Sequence, residues 1–293
     1  MEEPPGPSMG RMTSGARPVS VVLPAHNEAA GIRRVLELLT TGSPDREVEV
    51  IVACNGCTDG TADVARQVPG VVVIETPEPS KRLAMKAADD IATYGVRAYQ
   101  DADIAITRQG LLALVDALTD ETIATGPERR LALDASSMAV RWYYDVWQRL
   151  PSVHDGLFGR GLIVLAPEAH ERVRALPLVM SDDLAISEAF TREERRVVPG
   201  VEAVIEAPRT VRDLVRRRIR IATGNSQLDQ LGMRSSAART SVRDLLRIAS
   251  GSPLLVAKVA VFVAITGIGR VLARQRVRRG DYTTWSRDES SRR

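Results

Sequence analysis

Three short apolar runs rich in β-branched residues, Val19 to Leu23, Val48 to Ala53 and Val71 to Ile74, constrain the fold of this chain most. A strand with one wet face alternates apolar and polar residues, whereas runs of this kind suit parallel strands covered on both faces. Between the first two runs, Ile32, Val35, Leu36 and Leu39 recur at helical spacing. Thr58 to Gly60 can cap and turn, and Ala62 to Val68 reads as a short helix before the third run. The order is βαβαβ. It predicts an α/β fold on a doubly wound sheet, with ligands at the carboxyl ends of the strands.

Further along, Leu83 to Tyr94 reads as a helix and Arg97 to Gln100 as a strand, so that Asp101-Ala102-Asp103 falls just past a strand end. Two carboxylates one residue apart can hold a hard divalent cation, which can neutralise a pyrophosphate as its bond to a sugar breaks. A helix is expected near Gly110 to Leu118, then a less regular stretch, a strand at Leu162 to Leu165 and a helix at Asp183 to Phe190. From Thr210 the chain reads as helical and strongly basic. Pro253 opens Leu254 to Ile268, apolar except for Lys258 and Thr266 and followed by arginines. A bilayer span needs about 20 residues, so this stretch is short for one. A helix lying on a membrane surface is the favoured reading, ahead of a buried core helix and a true span.

The 293 residues suit one large domain over 18–232, followed by a helical region over 233–278 that can touch a membrane surface. Residues 1–17, rich in Pro, Gly and Ser, read as a disordered leader without the apolar core of a signal peptide, and 279–293 as a polar tail. A cytoplasmic protein, peripheral at most on the inner face of the membrane, is expected. The formal charge is +3, and of 40 basic residues only Lys81, Lys86 and Lys258 are lysines. That arginine bias can arise from genome composition, and the 4% aromatic content argues against a base-stacking surface, so nucleic acid is not an expected partner. Cys54 and Cys57 form a C-x-x-C with no second ligand pair, and the Asn-Gly turn ahead of Cys57 suits neither a redox helix nor a zinc site.

Val19 to Glu28 (VSVVLPAHNE), Asn55 to Thr61 (NGCTDGT) and Asp101 to Asp103 (DAD) stand in the order and at the approximate spacing of family-2 glycosyltransferases, which residues 18 to 225 resemble. The resemblance implies a GT-A fold with a mixed sheet, a UDP- or GDP-type sugar donor, Mg²⁺ or Mn²⁺, a glycan or lipid-linked acceptor, and inversion at the sugar. By the same resemblance Pro24, Ala25 and Glu28 hold the nucleoside, joined by Asn55 and Asp59; Asn55 and Cys57 stand where the family usually has Asp and Ser. Lys81 matches a basic residue near the diphosphate. Asp101 matches the ribose or metal-water contact and Asp103 the direct metal ligand. Phe158, Gly159, Arg160 and Gly161 resemble the glycine-rich acceptor loop. Ser181-Asp182-Asp183 resembles the segment supplying the general base, with Asp183 in the position of the base and Asp182 in that of the usual Glu. Processive members carry Gln-x-x-Arg-Trp; here Arg217 to Ile221 (RRIRI) lacks the Gln and the Trp, which implies single transfers and leaves Arg217 and Arg220 as diphosphate contacts.

Each of these residues also has a plainer use. Glu28 can favour a helix dipole, Asp59 and Ser181 to Asp183 can cap helices, and Lys81 can lie along the surface. His154, a lone histidine, reads as structural. Two other functions stay open: a non-catalytic nucleotide-binding or membrane-surface protein on the same scaffold, and a sugar-1-phosphate nucleotidyltransferase. The latter expects a Gly-rich basic loop after the first strand, which Pro24 to Glu28 does not provide.

Overall fold

The computed structural model describes residues 17–42 and 47–279. The expected leader and polar tail therefore fall, but for their inner residues, outside the described residues.

The three apolar runs form parallel strands β1 (Val19–Ala25), β2 (Val48–Asn55) and β3 (Val71–Thr76), linked by α1 (Ile32–Thr40) and α2 (Thr61–Arg66). Every residue of β1 is buried, as a strand covered on both faces must be. Pro24 does not end this strand: β1 runs on to Ala25, with Pro24 in register with Ala53 of β2 and past the last residue that pairs on the other side of β1, where its missing N–H breaks no bond.

Helix α3 (Lys81–Asp89) is shorter than the spacing predicts. Beyond it Glu49 Oε2 accepts from Thr93 N–H at 2.8 Å and Ser20 Oγ from Tyr94 N–H at 3.0 Å, which draws the chain out of the helix and toward β4 (Val96–Gln100). Asp89 pairs with Arg97 Nε at 3.0 Å and His170 Nε2 at 3.3 Å, and accepts from Tyr99 Oη at 2.6 Å. This buried knot ties α3 to β4, the elements that lead into Lys81 and Asp101.

The stretch expected to be irregular after α4 (Arg108–Asp116) contains β5 (Ala124–Ala132), α5 (Met138–Gln148) and α6 (Pro151–Asp155). There follow β6 (Leu162–Leu165), α7 (Pro167–Arg174), α8 (Asp182–Glu188) and β7 (Arg195–Glu206). Among the described residues the sheet has seven strands in the order β3-β2-β1-β4-β6-β5-β7, with β6 antiparallel to both neighbours. It is the mixed, mainly parallel α/β sheet that the sequence predicts. The crossovers reverse between β1 and β4, which makes the carboxyl ends of those strands the place for a ligand.

Beyond the sheet come α9 (Val211–Gln230), α10 (Val242–Ala249) and α11 (Pro253–Arg278). Tyr143 and Val146 of α5, Leu214 of α9, Ile248 of α10 and Phe262 and Ile265 of α11 form a second apolar core beside that of the sheet. Helix α11 has 26 residues, not the 15 of its apolar stretch, because its arginine-rich end is part of the same helix.

Candidate active site

A cavity of about 580 Å³ opens over the carboxyl ends of β1, β2 and β4. Its first wall is a clasp between two loops. Asn27 sits in the left-handed region (φ 55°), a conformation that asparagine tolerates, and its Oδ1 accepts from Thr58 N–H at 2.8 Å while its Nδ2 donates to Thr58 Oγ1 at 3.1 Å. Asn55 Nδ2 donates to the Ala25 carbonyl at 2.9 Å, and His26 Nδ1 donates to the Asn55 carbonyl. Pro24, His26, Glu28 and Asn55 line the cavity.

Two residues expected on this wall do not reach it. Ala25 is buried in the core and offers only the carbonyl that holds Asn55. Asp59 accepts from Ala29 N–H at 3.2 Å and Thr61 N–H at 3.0 Å, so it locks the start of α2 to the β1 loop. Burial opposes its charge, but the hydrogen bonds of Thr61 and Ala29 prevail and hold the carboxyl below its usual range. The Cys54 thiol is pushed up to about 12 by burial and by Cys57 beside it, and both cysteines are unoxidised.

The Asp101-Ala102-Asp103 turn is held from beneath. Asp101 N–H donates to the Gly161 carbonyl at 2.8 Å, and Ile104 N–H to the Asp101 carbonyl at 3.1 Å. Gly161 is left-handed (φ 70°), and a Cβ there would sit 2.3 Å from Ile104 Cγ1. Only glycine lets this loop lie so close under the turn. Ala102 is buried, while Asp103 is exposed toward the cavity that it lines.

Lys81 does not stand alone at the mouth of the site. Its Nζ lies 2.7 Å from Asp101 Oδ1 and 2.9 Å from Asp182 Oδ2, joining the β4 turn to the start of α8. Burial works against its charge, yet Asp101 and Asp182 outweigh that and keep the ammonium well above its usual range. Next to Asp182, Asp183 accepts from Gly159 N–H at 2.9 Å and from Leu184 N–H at 2.8 Å. Burial first and the Asp182 charge second raise its pKa, against the opposing pull of Lys81 and the Gly159 N–H. A carboxylate so raised is a better proton acceptor than an ordinary surface aspartate.

The far wall comes from elements that the sequence left unread. Arg129 on β5 donates to the Gly159 and Phe158 carbonyls, both at 2.6 Å, and its guanidinium lies 4.6 Å from the Trp147 ring centroid. Burial, with Arg160 nearby, presses it down to about 9, so it stays charged at neutral pH. Tyr143, Tyr144 and Trp147 of α5 and Arg217, Arg218 and Arg220 of α9 complete the lining. Burial first and Arg217 second lower the pKa of Arg220. A periodic aromatic signal, Trp142 to Trp147, could have marked α5; Arg129 gave none beyond a charged pair inside a strand.

In the expected acceptor loop Gly159 and Gly161 line the cavity, but Phe158 and Arg160 do not reach its main chamber. Phe158 packs into the cores behind it. Arg160 is buried and donates to the carbonyls of Gly156 at 2.8 Å, Pro127 at 3.0 Å and His154 at 2.8 Å, so it braces the loop and borders only a small adjoining recess. His154 is exposed, pairs with Asp155 at 2.9 Å, and lies outside the cavity lining.

Whether these residues suit a metal follows from their charges. Six carboxylates (Glu28, Asp101, Asp103, Asp182, Asp183, Glu206) and five bases (Lys81, Arg129, Arg217, Arg218, Arg220) line the cavity. A diphosphate would meet no excess of positive charge, so the hard oxygens of Asp101 and Asp103 suit a divalent cation that arrives with it. Among the described residues no group of three His, Cys, Asp or Glu side chains is placed to cage a metal.

Sheet, switch point and acidic turn together define a GT-A fold, the architecture of nucleotide-sugar transferases. Residues 20–140 match the model of glycosyl transferase family 2. Glycosyltransferase AglE of Haloferax volcanii is 31% identical over 106 residues, 34% of this chain and 35% of AglE, so the match spans about a third of that relative. Among solved structures, mannosyltransferase PcManGT from Pyrobaculum calidifontis in complex with GDP-Man and Mn²⁺ is 21% identical with a TM-score of 0.63, covering 92% of this chain and 90% of that one. Mannosyl-3-phosphoglycerate synthase from Rubrobacter xylanophilus is 17% identical with a TM-score of 0.54, covering 75% and 77%. At such identities the likeness is one of fold.

Proposed function

We propose that this protein transfers a hexose from a nucleotide-diphosphate sugar to a glycan or lipid-linked acceptor, in single transfers and with inversion. The observation that carries the reading is the meeting, in one cavity, of the Asp101-Ala102-Asp103 turn with an Asp183 carboxylate fixed by the Gly159 N–H. The residues of the β1 and β2 loops, Pro24, Glu28 and Asn55, receive the nucleoside. Asp103, with Asp101, holds Mg²⁺ or Mn²⁺. That cation, once bound, supplies the positive charge that makes the nucleotide diphosphate a leaving group. Asp183 takes the proton of the acceptor hydroxyl as it attacks the anomeric carbon, and Lys81 keeps Asp101 and Asp182 from repelling the diphosphate. Arg217 and Arg220 offer charged donors to the phosphates as they depart. For an acceptor that is already an ionised phosphate, the base is dispensable and Asp183 only orients. Two solved structures of similar fold, the mannosyltransferase with GDP-Man and Mn²⁺ and glucosyl-3-phosphoglycerate synthase from Mycobacterium tuberculosis with UDP and Mn²⁺, support testing a donor of either base. The described elements suit a cytoplasmic enzyme that can be peripheral on the membrane.

The test is calorimetric binding of UDP and GDP with and without Mn²⁺, to the wild type and to Asp103→Ala. Metal-dependent binding of one nucleotide, lost in the variant, is the expected result; metal-independent binding, or none, overturns the donor site. Release of nucleotide diphosphate in the presence of acceptor separates an enzyme from a binding protein.

A further inference from the structure

Helix α11 is built the wrong way round for a helix on the surface of a water-soluble domain. Its inner face, with Phe262, Ile265, Thr266, Gly269 and Ala273, packs on the domain, and a Cβ on Gly269 would come within 2.8 Å of Arg218 Cβ of α9. Lys258, the only charged residue from Pro253 to Gly269, also points inward, where its Nζ meets Asp145 Oδ2 of α5 at 2.6 Å. The outer face over the same turns carries Val256, Ala257, Ala260, Val263, Ala264 and Ile268, all exposed and none polar. Val256 and Val263 keep 55% and 49% of their surface in the open. A half-buried ion pair beneath an exposed apolar stripe reverses the usual order of a globular surface.

The charge around the stripe identifies what covers it. From Val242 to Arg279 there is one acid, Asp244, against eight Lys and Arg residues. Arg270, Arg274 and Arg278 are exposed at one end of α11, and α10 exposes Val242 and Leu246 beside Arg243 and Arg247. We propose that the outer face of α11, with the exposed side of α10, rests in the surface of an anionic lipid bilayer, the apolar stripe entering the acyl boundary and the arginines meeting lipid phosphates. Alone among the described helices, α11 is long and apolar enough to cross a membrane. Crossing, however, would strip it from α5 and α9 and carry Lys258 away from Asp145 into hydrocarbon, so it lies in the interface plane. Because α5 and α9 also carry the aromatic and arginine wall of the cavity, this pose sets that wall near the lipid.

The experiment is co-flotation of the full chain with phosphatidylcholine vesicles, pure or with about one third phosphatidylglycerol, at low and high salt. Binding to the anionic vesicles alone, weakened by salt, is the expected result. Val256→Asp combined with Val263→Asp abolishes it, and Arg274→Glu with Arg278→Glu weakens it by roughly tenfold or more. All four positions are exposed, so circular dichroism and nucleotide affinity stay as in the wild type. Absence of binding by the wild type, or undiminished binding by the double Asp variant, overturns the proposal. So does a dimer, seen by light scattering and lost in that variant, which would give the face to a second copy. Nucleotide binding measured in the same samples distinguishes failure of this surface from failure of the donor site.

Discussion

Asp183 carries opposite consequences for stability and for chemistry. Its raised folded pKa means that it stabilises the fold fully below its unfolded pKa and loses that contribution as pH rises through the folded value. At pH 7 its ionised form is therefore a cost to the fold. Asp183→Asn is expected to lower kcat by about 10² to 10⁴ while leaving Tm at pH 7 unchanged or higher, a gain that disappears in acid; turnover and thermal melts at two pH values check this. Asp182→Asn removes the second cause of the raised pKa and leaves Lys81 shared between Asp101 and Asp183. The acidic limb of kcat/KM should then move to lower pH in a pH–rate profile. Lys81 has the same sign, its folded pKa being above the unfolded one, but its unfolded pKa already lies above any working pH, so its contribution is complete there. Lys81→Met is expected to cost about 1–3 kcal/mol in urea unfolding, evenly from about pH 6 to 9, less than for a fully buried pair because the side chain is 27% exposed. The acids were legible as a pattern because their spacing is the chemistry. Their partner was not, since nothing in sequence shows that Lys81 reaches two carboxylates carried by different, distant elements.

At the scale of elements, α9 both brings its arginines to the cavity and, through Gly224, positions the segment that carries the proposed base. Gly224 lies where the helix crosses the start of α8, and a Cβ there would meet Ser181 Oγ at 2.0 Å and Ser181 N at 3.0 Å. Gly224→Ala gains helix propensity of about 1 kcal/mol, yet it must push the Ser181 to Asp183 segment aside. The expected outcome is a folded protein with kcat lower by roughly tenfold or more and an unshifted acidic limb, because the charges around Asp183 are the same; steady-state kinetics across pH decide it. The elements visible in advance were β1 to β4, β6, α1 to α4, α8, the helical stretch from Thr210 that is α9, and the apolar part of α11. Strands β5 and β7 were hidden for physical reasons. Gly126, Pro127 and the charged Glu128, Arg129 and Arg130 break the apolar run of β5, and the β5–β7 register slips beside Pro127, where β7 carries Pro199 and Gly200. That pair shapes the far wall, so Arg129 and the α5 aromatics went unread with it.

Across the whole molecule, charge is spread unevenly in a way that the net value of +3 conceals. The α10–α11 region is strongly basic, while the cavity holds six acids against five bases and so carries no surplus with which to bind a diphosphate. Two of those bases are committed by geometry: Lys81 to Asp101 and Asp182, and Arg129 to the Gly159 and Phe158 carbonyls. A divalent cation at Asp101 and Asp103 would change the local balance by two units, and one unit charge about 4 Å from another is worth about 4 kcal/mol near a protein surface. Even after most of that is lost to desolvation, chelation should weaken nucleotide-diphosphate binding by roughly tenfold or more. Nucleosides without phosphate, which use only the β1 and β2 loops, should bind equally with and without EDTA. Calorimetry with uridine, guanosine and their diphosphates separates the two contributions. Equal loss for nucleoside and diphosphate would mean that the metal holds the loops together instead of the phosphate, and would move the role of Asp103 from the ligand to the fold.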